Sequence, residues 1–265
     1  MPVEQLHLLV DDAGAAGVLA RRAAGFADPP TVWRVDGTAL KPASPEPLSP
    51  EPPLDRDVEP FADVIRAAGA DAVVEHGVLR GEVLGLEVAR AVVDDYGPML
   101  EVGVGKHDRQ AQRMVHGDEP TADALARVVA TVEGHRRAAA PHHPYNRLAP
   151  ERWLRARVVA EPGLVGAAEL VAVPSPVEVD DLRRPAPAAA AGTDLEGRPL
   201  LAVFSTGVDV DLVPAAVDAL QADGRNPRLV IVVPERDDHP YLRPLAEALR
   251  EPAEVVTVTD DWRAP

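Results

Sequence analysis

The sequence predicts an α/β protein, and the clearest signals lie in its last third. The apolar runs Pro199–Thr206 and Arg228–Val233 are typical of strands buried on both faces, and Glu254–Thr259 reads as a third strand. Helical patterns over Asp211–Ala222 and Tyr241–Arg250 separate them. Strand and helix alternating at this spacing predict a three-strand parallel, Rossmann-like β-α-β-α-β unit.

The N-terminal half predicts an α+β arrangement in which shorter elements are separated by proline-rich segments. Leu6–Val10 and Thr31–Val35 read as strands around the alanine-rich helix Ala13–Ala24, which Asp12 is placed to cap. A sheet of three strands is small, so we expect these two N-terminal strands to extend or cover the C-terminal sheet.

Two proline-rich stretches divide the chain, because proline cannot donate to a regular backbone hydrogen-bond ladder. The organisation that follows is a β-α-β unit (1–40), a proline-rich linker (41–58), an α+β domain with a hairpin and a basic helical segment (59–172), a Pro/Ala-rich linker (173–198) and the Rossmann-like domain (199–265).

The composition of the chain argues against several classes of protein. The 265 residues carry a formal net charge of −16, which argues against broad binding to nucleic acid or anionic membranes. The absence of cysteine excludes disulfides and thiol chemistry. No signal peptide is apparent at the N-terminus, and no apolar run is long enough to span a membrane. These features favour a soluble cytoplasmic protein, and the excess of Arg over Lys indicates high-GC codon usage.

The central stretch predicts an antiparallel hairpin. Glu82–Val93 reads as one strand and Met99–Gly105 as the next, joined by a turn at Asp94–Pro98. To bring both apolar sets to one face, even-numbered residues must oppose even-numbered residues, with Val88 opposite Val102 or Val104.

Both registers place Glu87 and Glu101 on the opposite, glycine-lined face. Their backbones are roughly 8 Å apart in the first register and roughly 14 Å apart in the second. Only the first lets both carboxylates reach one cation, and a hairpin with one solvated face is the simpler interpretation.

Two resemblances rest on this region. The pattern RGEVLGLEVAR, LEVGVGKHDR, NRL and ERWLR resembles a group of hypothetical proteins from high-GC bacteria, which implies no chemistry. The order of helix, acid-bearing hairpin and helix also resembles the PD-(D/E)XK nucleases. That resemblance implies an Mg²⁺- or Mn²⁺-dependent nuclease or phosphodiesterase with Glu87, Glu101 and Lys106 as catalytic residues. The chain departs from the family pattern, since Glu101-Val102-Gly103 lacks the lysine at the required position.

A basic island interrupts the acidic chain. Residues 135–157 contain six arginines against the single acid Glu151. Because guanidinium groups suit phosphates and carboxylates, Arg152 and Arg155 are candidate ligand-binding residues, or the docking point for an acidic partner. Pairing with the protein's own acids is the alternative.

Polar residues also follow each C-terminal strand, where open α/β sheets bind ligands. The candidates after the first two strands are Ser205, Thr206, Gly207, Asp209, Asp211, Asp237 and Asp238. Ser-Thr-Gly before a helix offers N–H groups to an anion. The aspartates favour a cation or sugar hydroxyls, with Asp209 and Asp211 as candidate metal ligands, or they simply cap helices.

These patterns leave three functions open. The first is binding of a small polar, nucleotide-like ligand or a divalent cation at the C-terminal strand ends. The second is the nuclease suggested by Glu87 and Glu101. The third is a non-enzymatic interaction module in which Arg152 and Arg155 dock an acidic partner.

Overall fold

The computed structural model describes residues 5–115, 121–137, 140, 143–179 and 181–263. Within these residues the chain forms three sheets and seven α-helices. The mixed α/β class is confirmed. None of the helices in the described ranges is long and apolar enough to cross a membrane.

The N-terminal unit is the predicted β-α-β motif with one further strand. It consists of β1 (His7–Val10), α1 (Ala13–Ala23), β2 (Thr31–Asp36) and β3 (Ala39–Pro42). β1 and β2 are parallel, and β3 is antiparallel to β2. Asp12 caps α1 as predicted, because its carboxylate accepts the N–H groups of Gly14 and Ala15.

This unit adds no strand to the C-terminal sheet but packs against the C-terminal part, so the second of the two expected arrangements is the one observed. Its three strands form a sheet of their own. It docks through α1, where Arg21 Nε and Arg22 Nε lie 2.8 and 2.7 Å from the carboxylate of Asp218. Phe26 adds an isolated antiparallel bridge to Leu249.

The middle part is a four-stranded antiparallel sheet in the order β4-β5-β6-β7. The strands and helices of this part are α2 (Phe61–Ala67), β4 (Asp71–Glu75), β5 (Val78–Val83), β6 (Leu86–Asp94), β7 (Gly97–Val102), α3 (Gly105–Val115) and α4 (Thr121–His135). The apolar stripe predicted on α4 is buried against the sheet.

The predicted strand Glu82–Val93 is wrong, because the chain turns back within it. Leu84 and Gly85 both have positive φ, 46° and 74°, and join β5 to β6 as a two-residue hairpin loop. The apolar alternation continues through this turn, which is why it resembled one long strand.

The predicted register is also wrong. Ala89 pairs with Val102 and Ala91 with Leu100, so odd-numbered residues oppose even-numbered ones. The parity argument failed because Val88 and Ala89 are both fully buried, so burial does not alternate along the first half of β6.

The C-terminal part is a five-stranded mixed sheet in the order β12-β11-β10-β9-β8. The strands and helices of this part are α5 (Pro150–Ala160), β8 (Ala167–Val173), β9 (Ala188–Asp194), β10 (Pro199–Phe204), α6 (Leu212–Asp223), β11 (Arg228–Pro234), α7 (Leu242–Glu247) and β12 (Glu254–Val258). The parallel order of β10, β11 and β12 is confirmed.

The Pro/Ala-rich linker predicted over 173–198 is corrected by β9, which lies inside it. β9 runs antiparallel between β8 and β10, and Ala188–Ala191 are buried. Small side chains suit this place, because α5 packs against one face of the sheet through Trp153 and Leu154. The low-complexity composition therefore reflects close packing.

Candidate functional site

Helix α5 joins the two larger sheets through buried ion pairs. Arg152 and Arg155 point away from the C-terminal sheet and contact Glu75 and Glu82 of the middle sheet. Arg155 Nη1 lies 2.5 Å from Glu75 and its Nη2 lies 2.8 Å from Glu82. Arg152 Nη2 and Nη1 contact the same two carboxylates at 2.5 and 2.8 Å. All four residues are buried.

These contacts give no support to the predicted ligand-binding role of Arg152 and Arg155. Both guanidinium groups are used inside the protein, so they offer no surface to a ligand or to an acidic partner. The alternative, pairing with the protein's own acids, describes what the structure shows.

The network continues to the two carboxylates of the nuclease-like pattern. Arg80 lies 3.5 Å from both Glu75 and Glu87. Arg109 Nη1 lies 2.7 Å from Glu87, and its Nε lies 3.3 Å from Glu101. Glu87 and Glu101 do approach one common cation, but that cation is a guanidinium group.

A β-bulge produces this arrangement. Gly81 pairs with Ala89 and Glu82 with Glu87, so β6 carries one extra residue at Val88. Glu87 also accepts two hydrogen bonds from Arg90, at 2.9 and 3.1 Å. Lys106, the third residue of the pattern, is exposed in the first turn of α3.

Electrostatics keep the network ionised. Burial alone would raise the pKa of Glu82, but the guanidinium groups of Arg155 and Arg152 outweigh it and lower that pKa. Burial would lower the pKa of Arg155, and Glu82 and Glu75 raise it instead. Charges paired this closely stabilise the packing of α5 and are poorly suited to proton transfer.

At the C-terminal strand ends, the predicted anion-binding groups are occupied by the protein's own acids. The hydroxyl of Thr206 donates to Glu151 Oε1 at 3.0 Å, and the N–H of Gly207 donates to Asp237 Oδ2 at 2.7 Å. The hydroxyl of Ser205 lies 3.4 Å from Asp209 Oδ2.

The aspartates are likewise engaged locally. Asp209 accepts the N–H of Asp211 at 3.0 Å, and Asp238 pairs with Arg243 at 2.8 Å. Across the described part of the chain, no group of three or more Asp, Glu or His side chains is arranged to hold a metal ion. Asp209 and Asp211 thus lack the further ligands that a cation site would need.

Glu151, which sequence reasoning noted only as the lone acid of the basic island, is buried at this edge. Burial raises its pKa, and the hydrogen bond from Thr206 offsets this only in part. At pH values between the ordinary pKa of a glutamic acid and the raised pKa of Glu151, the folded state binds more protons than the unfolded state. The free energy of unfolding therefore falls as the pH rises through that interval.

We expect Glu151→Gln to remove this loss, since glutamine keeps an oxygen acceptor for Thr206 without the buried charge. The variant should match the wild type near pH 4 and have the higher free energy of unfolding at pH 7. Urea unfolding at both pH values measures the difference. A difference that stays constant with pH would contradict the raised pKa.

A pocket of about 320 Å³ lies beside the network, between the middle sheet, α4, α5 and the segment after β12. Four guanidinium groups line it, with Trp153 and three acids among the other residues. The charged lining residues are Asp71, Glu82, Glu133, Arg136, Arg137, Arg157 and Arg263. Since Glu82 is neutralised by α5, the pocket is locally positive in a strongly acidic chain.

Arg136 builds the wall of this pocket. Its guanidinium group is fully buried and donates to the carbonyls of Leu84, Tyr145, Leu148 and Ala149 at 2.7 to 3.0 Å. It also stacks on Trp153, with its Cζ 4.5 Å from the ring centroid. Burial lowers its pKa to about 9, so it remains a cation at neutral pH.

Two residues that line the pocket, Trp153 and Arg263, and the neighbouring Trp262 carry buried donors without an acceptor. The Nε of Arg263 and the indole N–H groups of Trp153 and Trp262 make no hydrogen bond. They lie together: the indole rings are 5.6 Å apart, and the Arg263 guanidinium lies 4.2 and 5.5 Å from the Trp262 and Trp153 centroids. Buried donors are almost always paired with protein or with water, so these three N–H groups can donate to an oxygen acceptor in the pocket.

Sequence reasoning identified the basic island that supplies Arg136, Arg137 and Arg157, but it missed Arg263. The available signal was position, because Trp262 and Arg263 follow the parallel strand β12, and open α/β sheets bind ligands beyond the ends of such strands. Comparison of the chain with protein-family models, curated proteins and solved structures finds no match.

Proposed function

We propose that the chain is a binding protein for a small phosphorylated metabolite, nucleotide-like in size and charge. The site is the pocket lined by Arg137, Arg157, Arg263 and Trp153 at the end of β12. The observation that carries the proposal is the cluster of buried N–H donors without acceptors beside these guanidinium groups.

The geometry supports each part of this ligand class. Guanidinium groups bind phosphate oxygens through charge-assisted hydrogen bonds, and burial strengthens such bonds. A pocket of about 320 Å³ is at the small end of the range for ligand sites. Like the site expected from the sequence, the proposed site lies at the strand ends of the C-terminal sheet. It lies beside Arg263, however, and not at Ser205–Gly207.

The site favours an anion over a divalent cation. Arg157 forms an ion pair with the exposed Glu161 at 2.9 Å. An exposed ion pair contributes little stability, so an incoming phosphate can take the place of Glu161 at little cost. The nuclease alternative gains no support, because Glu87 and Glu101 are held by Arg109.

Titration calorimetry with AMP, inorganic phosphate and adenosine tests the proposal. We expect AMP and phosphate to bind and adenosine not to bind. Arg263→Gln should weaken AMP binding about ten- to hundred-fold, as expected for loss of a charged hydrogen bond. Arg147→Gln is the matched control, since Arg147 is an exposed arginine of the basic island that does not line the pocket.

Equal binding of adenosine and AMP would exclude phosphate recognition. Unchanged AMP affinity in Arg263→Gln, with an unfolding midpoint like that of the wild type, would exclude this pocket as the site. Thermal unfolding gives an independent readout, because ligand at 100 times its Kd stabilises the folded state by about 2.7 kcal/mol.

A further inference from the structure

A second, larger cavity lies on the other side of the C-terminal sheet. Its volume is about 580 Å³, and its roof is the proline-rich segment 46–52, which we call the strap. Its floor is formed by apolar side chains of α1, β8, β9, β10 and α6. These floor residues are Val18, Val173, Ala189, Leu201 and Ala219.

The strap is fixed at both ends of the cavity. At one end, the N–H of Glu46 donates to Gly17 O at 3.0 Å, and Arg21 donates to Glu46 O at 2.7 Å. At the other end, Glu51 Oε2 lies 3.4 Å from His76 Nδ1. Pro52 packs against the turn at Gly77. Proline-rich segments are stiff and extended, so a strap held at two points spans the cavity without collapsing into it.

Negative charge exceeds positive charge around the cavity. Arg21 is fully used, because it pairs with Asp218 at 2.8 Å and also holds the strap. Three exposed carboxylates stand at the rim, on Glu46, Glu51 and Glu178. Among the described residues none of the three pairs with a lysine or arginine. The nearest imidazole, that of His76, carries a mostly buried Nε2 with no hydrogen-bond partner.

We propose that this cavity is a second binding site, for a small organic cation with an apolar body. The body lies on the floor of aliphatic side chains, where burial of apolar surface favours binding. The ammonium group lies at the rim beside Glu46, Glu51 and Glu178, which attract it and repel anions. The inference is independent of the phosphate pocket, which lies elsewhere and carries the opposite charge.

Three probes that share one body and differ in charge test the proposal on the full chain: 2-phenylethylamine, 2-phenylethanol and 3-phenylpropionate. We expect the ammonium compound to bind at least about ten-fold more tightly than the carboxylate, measured by titration calorimetry. Raising the salt concentration should reduce this preference, because charges at an exposed rim are screened.

Two variants locate the site. Ala222→Trp fills the rim from the exposed face of α6 and should abolish binding of 2-phenylethylamine. Ala130→Trp, at an exposed helical position on α4 outside the cavity, is the matched control and should leave binding unchanged. Glu178→Gln should weaken binding several-fold without changing the unfolding midpoint.

Any of three results would overturn the inference. They are equal affinity for the ammonium and carboxylate probes, no binding of any probe at millimolar concentration, or unchanged binding in the folded Ala222→Trp variant. None of these results bears on AMP binding, so this site and the proposed function fail or stand separately.

Discussion

Replacing Arg155 by methionine is expected to lower the free energy of unfolding by about 3–5 kcal/mol, the usual cost of leaving a buried charge without its partner. Arg155 is 1% exposed and contacts Glu75 and Glu82. Methionine keeps much of the volume of the side chain, so the loss reports mainly on charge. Urea unfolding at neutral pH measures it.

Arg157→Met is the matched control, because Arg157 lies two residues further along the same helix and pairs with a carboxylate that is 55% exposed. Its cost should stay below about 1 kcal/mol. Similar losses in both variants would show that the buried network does not hold α5 against the middle sheet.

The second large effect is expected at the turn between β5 and β6. A Cβ at Gly85 would lie 2.3 Å from the backbone C and O atoms of Arg152 in α5, and Gly85 has a φ of +74°. Gly85→Ala should therefore lower the free energy of unfolding by about 3 kcal/mol or more, since a backbone clash adds to the strain of a left-handed residue.

Gly197→Ala separates the two contributions. Gly197 has a nearly equal φ of +78°, but nothing lies within 4 Å of its Cβ position. This variant should cost only the left-handed strain, about 1–2 kcal/mol. If both alanine variants lose the same stability, close packing of α5 on the hairpin turn contributes nothing.

The sequence predicted local structure correctly where a residue pattern has a single structural explanation. Asp12 marks a helix start, and the apolar runs around Leu201 and Val230 become the parallel strands that they indicate. It failed at Leu84 and Gly85, where a tight turn preserves the apolar alternation, and at Ala188–Ala191, where a buried strand has the composition of a linker.

The candidate sites were harder to predict because they depend on pairing across the chain. Arg152 and Glu82 are 70 residues apart, and nothing in the sequence shows that a basic helix faces an acidic hairpin. Arg263 and Trp153 are similarly remote, and only the fold brings their unpaired donors together. Residue type predicted what these groups can bind, and the fold decided which of them are already occupied.

The contact between Arg21 and Asp218 has a consequence for folding of the chain during translation. The two residues are 197 positions apart in sequence. At translation rates of about 5–20 residues per second, Arg21 is synthesised roughly 10–40 s before Asp218. During that time the N-terminal β-α-β unit has no α6 to cover α1. Nascent chains from which α6 has not yet emerged should therefore expose α1 to proteases and chaperones, and this exposure should end once α6 has left the ribosome.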